Sequence, residues 1–139
     1  MRRLLLSFSR ARRGNAAVEF ALIGPLFFFL LVGMVVYGGW FWMAQGVQTL
    51  AAEGARAAIA GLDADERIRL ARGSVSNNLQ GDALLSADAV QVAVQTDAAA
   101  IRVVVTYDAS NHPLMALAGL VPTPPQTIER HAIVRTGGY

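Results

Sequence analysis

Twenty-five consecutive residues, Phe20 to Ala44, carry no formal charge and read FALIGPLFFFLLVGMVVYGGWFWMA. Coiled as a helix, this run measures about 37 Å at 1.5 Å per residue, longer than the roughly 30 Å hydrocarbon core of a bilayer. The pattern predicts a transmembrane helix. It exceeds the roughly 7 to 15 apolar residues of a secretory signal, although Ala44-Gln45-Gly46 offers a poor small-residue cleavage site. Helical character continues through GVQTLAAEGARAAIAG, where Glu53 and Arg56 can pair three residues apart. Gly61 provides a stop, giving one long helix over 15–61. A second, amphipathic helix is expected over 63–79. Asp63 and Glu66 have capping-box spacing, Ile68, Ala71, Val75 and Leu79 recur on one face, and Asn77, Asn78 and Gly81 close it.

Beyond Asp88 the period changes from helical to alternating. Val90, Val92 and Val94 alternate with Gln91, Ala93 and Gln95, and Ile101, Val103, Val105 and Tyr107 alternate with Arg102, Val104 and Thr106. Two strands joined through Asp97–Ala100 form an antiparallel hairpin on this pattern. Residues 108–126 hold Asn-His-Pro, a short apolar PLMALAGL suited to a helical turn, and PTPP, whose prolines forbid ladder pairing. A third strand over Thr127–Arg135 completes the sheet, and Arg130, on the face of Ile128, Ala132 and Val134, marks it as an edge. The expected fold is α+β: a long amino-terminal transmembrane helix, an amphipathic helix and a small antiparallel sheet of about three strands.

Charge sets the orientation of the helix. All twelve basic residues are Arg, and five of them (Arg2, Arg3, Arg10, Arg12, Arg13) precede Gly14 without an acid among them. The positive-inside rule therefore places residues 1–14 in the cytoplasm, as a basic leader, and 62–139 across the membrane as a periplasmic or extracellular α+β domain. Tyr37, Trp40, Phe41 and Trp42 suit an aromatic belt at the outer interface. Residues 63–139 are expected to fold without the helix. From Asn15 onward seven Arg face ten Asp and Glu, so the folded part has no basic face and no nucleic-acid partner is expected. At 139 residues the chain suits one small domain. With no cysteine, thiolate catalysis, cysteine-ligated metals and disulfides are excluded.

Glu19 is the prominent candidate for chemistry, because a carboxylate at the start of an apolar helix is costly to desolvate and calls for a partner. An interfacial acid favoured by the helix dipole is the structural alternative. Pro25 removes one helical hydrogen bond and should bend the helix near Ala21–Pro25. Gly24, Gly33, Gly38, Gly39, Ala44, Ala51 and Ala55 would let helices approach closely, without a strict G-x-x-x-G register. His112 and His131 lie too far apart in sequence to argue for a metal, and Asp63, Asp65 and Glu66 sit where a helix start favours acids. No G-x-S-x-G, P-loop or H-E-x-x-H is present, so no catalytic residue, cofactor or metal is expected and the chain does not read as an enzyme.

The string Arg12-Arg13-Gly14-Asn15-Ala16-Ala17-Val18-Glu19-Phe20 resembles a prepilin peptidase site. Together with the arginine-rich leader, the membrane helix, Pro25 and Gly54-Ala55-Arg56, it resembles the TadE-like pseudopilins of tight-adherence (Flp) pilus systems. The resemblance covers roughly residues 12–56, the remainder matching only in general layout. It implies cleavage between Gly14 and Asn15, leaving Glu19 and Phe20 as the fifth and sixth residues of the mature chain. It further implies a minor pilin or pseudopilin needed to assemble an adhesive Flp-type (tight adherence) pilus, lodged in the inner (cytoplasmic) membrane of a bacterium. The implied partners are a prepilin peptidase, sister pseudopilins, the major Flp pilin, the inner-membrane assembly platform with its ATPase, and the lipid bilayer. A signal-anchored periplasmic binding or envelope module, never cut at Gly14, is the alternative from another class. A secreted enzyme released near Gln45 is a third.

Overall fold

A computed structural model of the chain describes residues 5–136, with side chains from Gly14 onward. It is an α+β fold in element order helix, helix, strand, strand, strand. Helix α1, Leu5–Ala58, is 54 residues long and runs through Pro25 without a break. It starts earlier than the expected 15–61 span, so the Gly14–Asn15 bond lies inside a helix. The basic side chains expected to form the leader lie outside the described residues.

At its other end α1 stops three residues before Gly61. Ile59, Ala60 and Gly61 donate to Arg56, Ala57 and Ala58, three residues back, which tightens the last turn. Gly61 is required there by contact: a Cβ would come 2.7 Å from both the backbone nitrogen and Cγ of Arg67. Arg67 Nε in turn donates to the Gly61 carbonyl at 3.1 Å.

Helix α2, Ala64–Leu79, begins as its sequence dictates, with Asp63 as N-cap accepting from Glu66 N–H at 2.8 Å. Glu66 reaches back to Leu62 N–H at 2.8 Å, one residue before the position a standard capping box would satisfy. Ala71, Val75 and Leu79 are buried, and Ile68 is half-buried on the same side.

Strands β1 (Val90–Thr96), β2 (Ala100–Asp108) and β3 (Thr127–Arg135) form an antiparallel sheet in the order β1-β2-β3. Val94 pairs with Val103 and Val103 with Ala132, which puts the apolar sets of all three strands on one face. Ile101, Val103, Val105, Tyr107 and Ile128 are fully buried there. Arg130 shares that face opposite Val105 and stays half-buried, its Nη1 donating to the Glu129 carbonyl at 2.8 Å. The edge position of β3 gives the guanidinium room to do so.

The core is completed by α1. Met43, Ala44, Val47, Leu50, Ala51, Ala55 and Ala58 are buried in the same cluster as the sheet face and the α2 stripe. Where α1, α2 and β2 converge, a Cβ on Gly54 would stand 3.1 Å from Val75 Cγ2 and 3.3 Å from Val103 Cγ1. Residues 63–139 are joined to α1 through this core: a sheet with one apolar face needs a layer against it, and the second half of α1 supplies that layer.

Between β2 and β3 the chain forms a 3-10 helix, Pro113–Leu120, then an extended Pro-rich return. His112 Nδ1 caps this helix by accepting from Leu114 N–H at 3.2 Å. On the return, Tyr37 Oη donates to the Pro122 carbonyl at 3.1 Å and Trp40 Nε1 to the Pro125 carbonyl at 2.8 Å. Two of the four residues expected to form an aromatic belt therefore hold the head on α1, while Phe41 and Trp42 remain exposed.

Candidate functional site

The first part of α1 whose side chains are described forms no core. From Gly14 to Leu31 every residue of α1 is exposed except Gly24, which lies half-buried beside the ring of Phe20, 3.7 Å from where a Cβ on Gly24 would stand. Phe20, Leu22, Ile23, Leu26, Phe27, Phe28 and Leu30 are all more than half exposed. Burying a side chain of this size is worth about 1.5 to 3 kcal/mol, so an unburied row of them demands an apolar surrounding. Among the described residues α1 is the one helix long and apolar enough to cross a membrane.

The predicted site residues all lie on this free segment. Gly14 is open on every side, with no atom within 4 Å of a Cβ built there. Asn15 and Glu19 stand four residues apart, on one helical face. Glu19 has no ion-pair partner among the described residues, whose one pair is Arg56–Glu53 at 3.2 Å on the far part of α1. That pair is exposed, and such pairs contribute little. Pro25 sits one turn past Ala21, in the uninterrupted helix.

Elsewhere, several polar side chains are committed to backbone. A shallow cavity is lined by Ser86, Asp88, Tyr107, Asp108, Asn111 and His112. Asp108 accepts from Ser110 N–H at 2.9 Å, and hydrogen bonds from Ser110 hold its carboxyl below the ordinary value. His112 is occupied in capping. Asp97 accepts from Ala99 and Ala100 N–H at 2.9 and 2.7 Å, and these bonds likewise lower its pKa. Both carboxylates are turn-makers. Among the described residues no group of three or more His, Asp or Glu is placed to hold a metal ion. His131 stands exposed on β3 beside Glu129, two residues away on the same face.

An apolar amino-terminal part that packs on nothing, joined to a second part whose inner face is buried in the core, is the geometry of a membrane anchor built continuously into a head. Residues 14–56 match the model of the TadE-like protein family. No curated protein and no solved structure matches the chain. The TadE-like match begins at Gly14 and ends two residues before α1 does. It covers the free anchor and the helical layer of the core, and leaves α2 and the sheet outside.

Two features escaped the sequence. Gly54, within the TadE-like segment, is small because α2 and β2 cross α1 there, beside Ala55, a residue the sequence marks for close helix approach. No periodicity announces such a crossing. The contacts of Tyr37 and Trp40 with the Pro-rich return also went unseen, although the signal existed: no formally charged residue stands between Asp108 and Glu129.

Proposed function

We propose that this chain is a minor pilin, or pseudopilin, required for assembly of an adhesive Flp-type pilus and cut by a prepilin peptidase between Gly14 and Asn15. The supporting observation is the TadE-like match that opens at Gly14 and runs along a helix whose first half is free of the head. The protein crosses the inner membrane once, arginine-rich end in the cytoplasm and head in the periplasm. Its partners are the peptidase, sister pseudopilins, the major pilin and the assembly platform.

Cleavage hydrolyses the Gly14–Asn15 peptide bond and creates a positive amine on Asn15. In a bundle of such helices, Glu19 of one subunit neutralises the amine of its neighbour, because charges withdrawn from water are tolerable only in pairs. Since α1 is helical through Gly14, the peptidase must unwind about one turn to reach the bond.

The test is the intact mass and amino-terminal sequence of the protein purified from membranes with and without the peptidase. A new terminus at Asn15 that depends on the peptidase is the expected result. Retention of Met1–Gly14 in both would leave an uncut signal anchor and refute the pilin pathway.

A further inference from the structure

The lower rim of the head is apolar, and its height on α1 can be read from its contacts. Leu114 packs against Gly39, Val121 Cγ1 lies 4.0 Å from a Cβ built on Gly33, and Pro125 is back at Trp40. From Leu114 the chain thus descends about six helical residues, roughly 9 Å, to its lowest point near Val121, then climbs again. At this tip Ala116, Leu117, Gly119, Leu120 and Pro122 are exposed, with Leu117 at 39% and Leu120 at 49%. The whole stretch between Asp108 and Glu129 is free of formal charge.

The free part of α1 is too short to hold this tip clear of a bilayer. Nineteen steps from Gly14 to Gly33 rise about 28 Å, while the hydrocarbon core is about 30 Å thick. If the core instead begins at Glu19, its outer edge falls near Gly39, well above Val121. Tilting α1 only shortens its reach along the membrane normal. In every case the tip meets the outer edge of the hydrocarbon.

We propose that the tip Ala116–Pro122 is a membrane-docking surface, inserted into the outer interface of the same bilayer that α1 crosses. The occupant of the apolar rim is lipid. Exposed apolar side chains of α1 adjoin the rim, Met34 and Val35 at the height of the tip and Phe41 and Trp42 just above Leu114, so lipid meets apolar surface on helix and rim together. Docking fixes the head against rotation about α1. It also means that extraction of the subunit from the membrane must release the rim as well as the helix. The inference rests on α1 spanning the membrane, not on cleavage at Gly14.

Because the chain has no cysteine, single cysteines can report depth directly. The full chain, carrying Leu117→Cys, Leu120→Cys, Leu26→Cys or Asp65→Cys with a nitroxide label, is reconstituted into vesicles of phosphatidylcholine and phosphatidylglycerol. Accessibility to oxygen and to a water-soluble nickel chelate is then compared. Leu26 reports the membrane centre, and Asp65, exposed beside the far end of α1, reports water. Docking predicts that labels at 117 and 120 favour oxygen over the chelate several-fold more than the label at 65. Labels at 117 and 120 as open to the chelate as that at 65, with 26 in hydrocarbon, would overturn the docking alone. Shielding of both from oxygen and chelate alike would assign the rim to a protein neighbour and overturn it equally. A label at 26 open to the chelate would remove the membrane span and the docking with it.

Discussion

On the proposed function, Glu19 is where the cost of a charge in a membrane would meet the chemistry of assembly. It lies on the free part of α1, on the same face as Asn15, so cleavage would leave an amine and a carboxylate one turn apart on each subunit. Replacing one member of a buried pair strands the other, at about 3 to 5 kcal/mol. Glu19→Gln should therefore leave the membrane level of the protein unchanged and abolish its recovery with assembled pili. Normal piliation by this variant would dispose of the pairing. Gly54 is the opposite kind of residue, silent chemically and decisive sterically. With Val75 and Val103 both fully buried against it, Gly54→Val should destabilise by about 1 to 3 kcal/mol through overpacking. Thermal unfolding in detergent measures this, and an unchanged midpoint would mean that the α1–α2 crossing can open.

The elements were legible wherever period and capping agreed. The alternation of Ile101, Val103, Val105 and Tyr107 predicted β2, and Asp63 marked the start of α2, because these signals act within a few residues. What remained hidden was α1's double life, since an uninterrupted apolar helix looks the same whether lipid or a sheet covers it. Turns at the two ends of β2 add a pH response. Asp97 and Asp108 have pKa values lowered below the ordinary 3.8 by hydrogen bonds from turn residues, the backbone N–H groups of Ala99 and Ala100 at Asp97, and the Ser110 side chain and then its backbone N–H at Asp108. Because the native carboxylate is the favoured form, their contribution is present above 3.8 and is lost as pH falls below it toward the lower native values. Unfolding midpoints measured from about pH 6 down to about pH 2 should fall in the acidic part of that range. Asp97→Asn should flatten that fall. An equal slope in the variant would show that Asp97 does not couple to folding.

On the scale of the whole molecule, α1 is both anchor and half of the core, and this decides what can fold apart from what. The sheet face of Ile101, Val103, Val105 and Tyr107 rests on Met43, Val47, Leu50, Ala51 and Ala55, so removing α1 would expose that face to water. A fragment of residues 63–139 should give no fixed tertiary signal in near-ultraviolet circular dichroism and should bind hydrophobic dyes, as an unsupported apolar sheet would. A fragment of residues 32–139 keeps every buried residue of the cluster and should fold cooperatively, with its exposed rim and Met34, Val35, Phe41 and Trp42 making it prone to associate. In that fragment Leu50→Ala should cost about 2 to 5 kcal/mol, because Leu50 is buried between the layers. A cooperative transition in 63–139 alone would mean that the sheet and α2 suffice, and that α1 only rests on a head already folded. The absence of a transition in 63–139, with one in 32–139, would mean that a subunit cannot leave the membrane by shedding its helix. The anchor's second half would have to travel with the head, and extraction would act on α1 as one rigid rod.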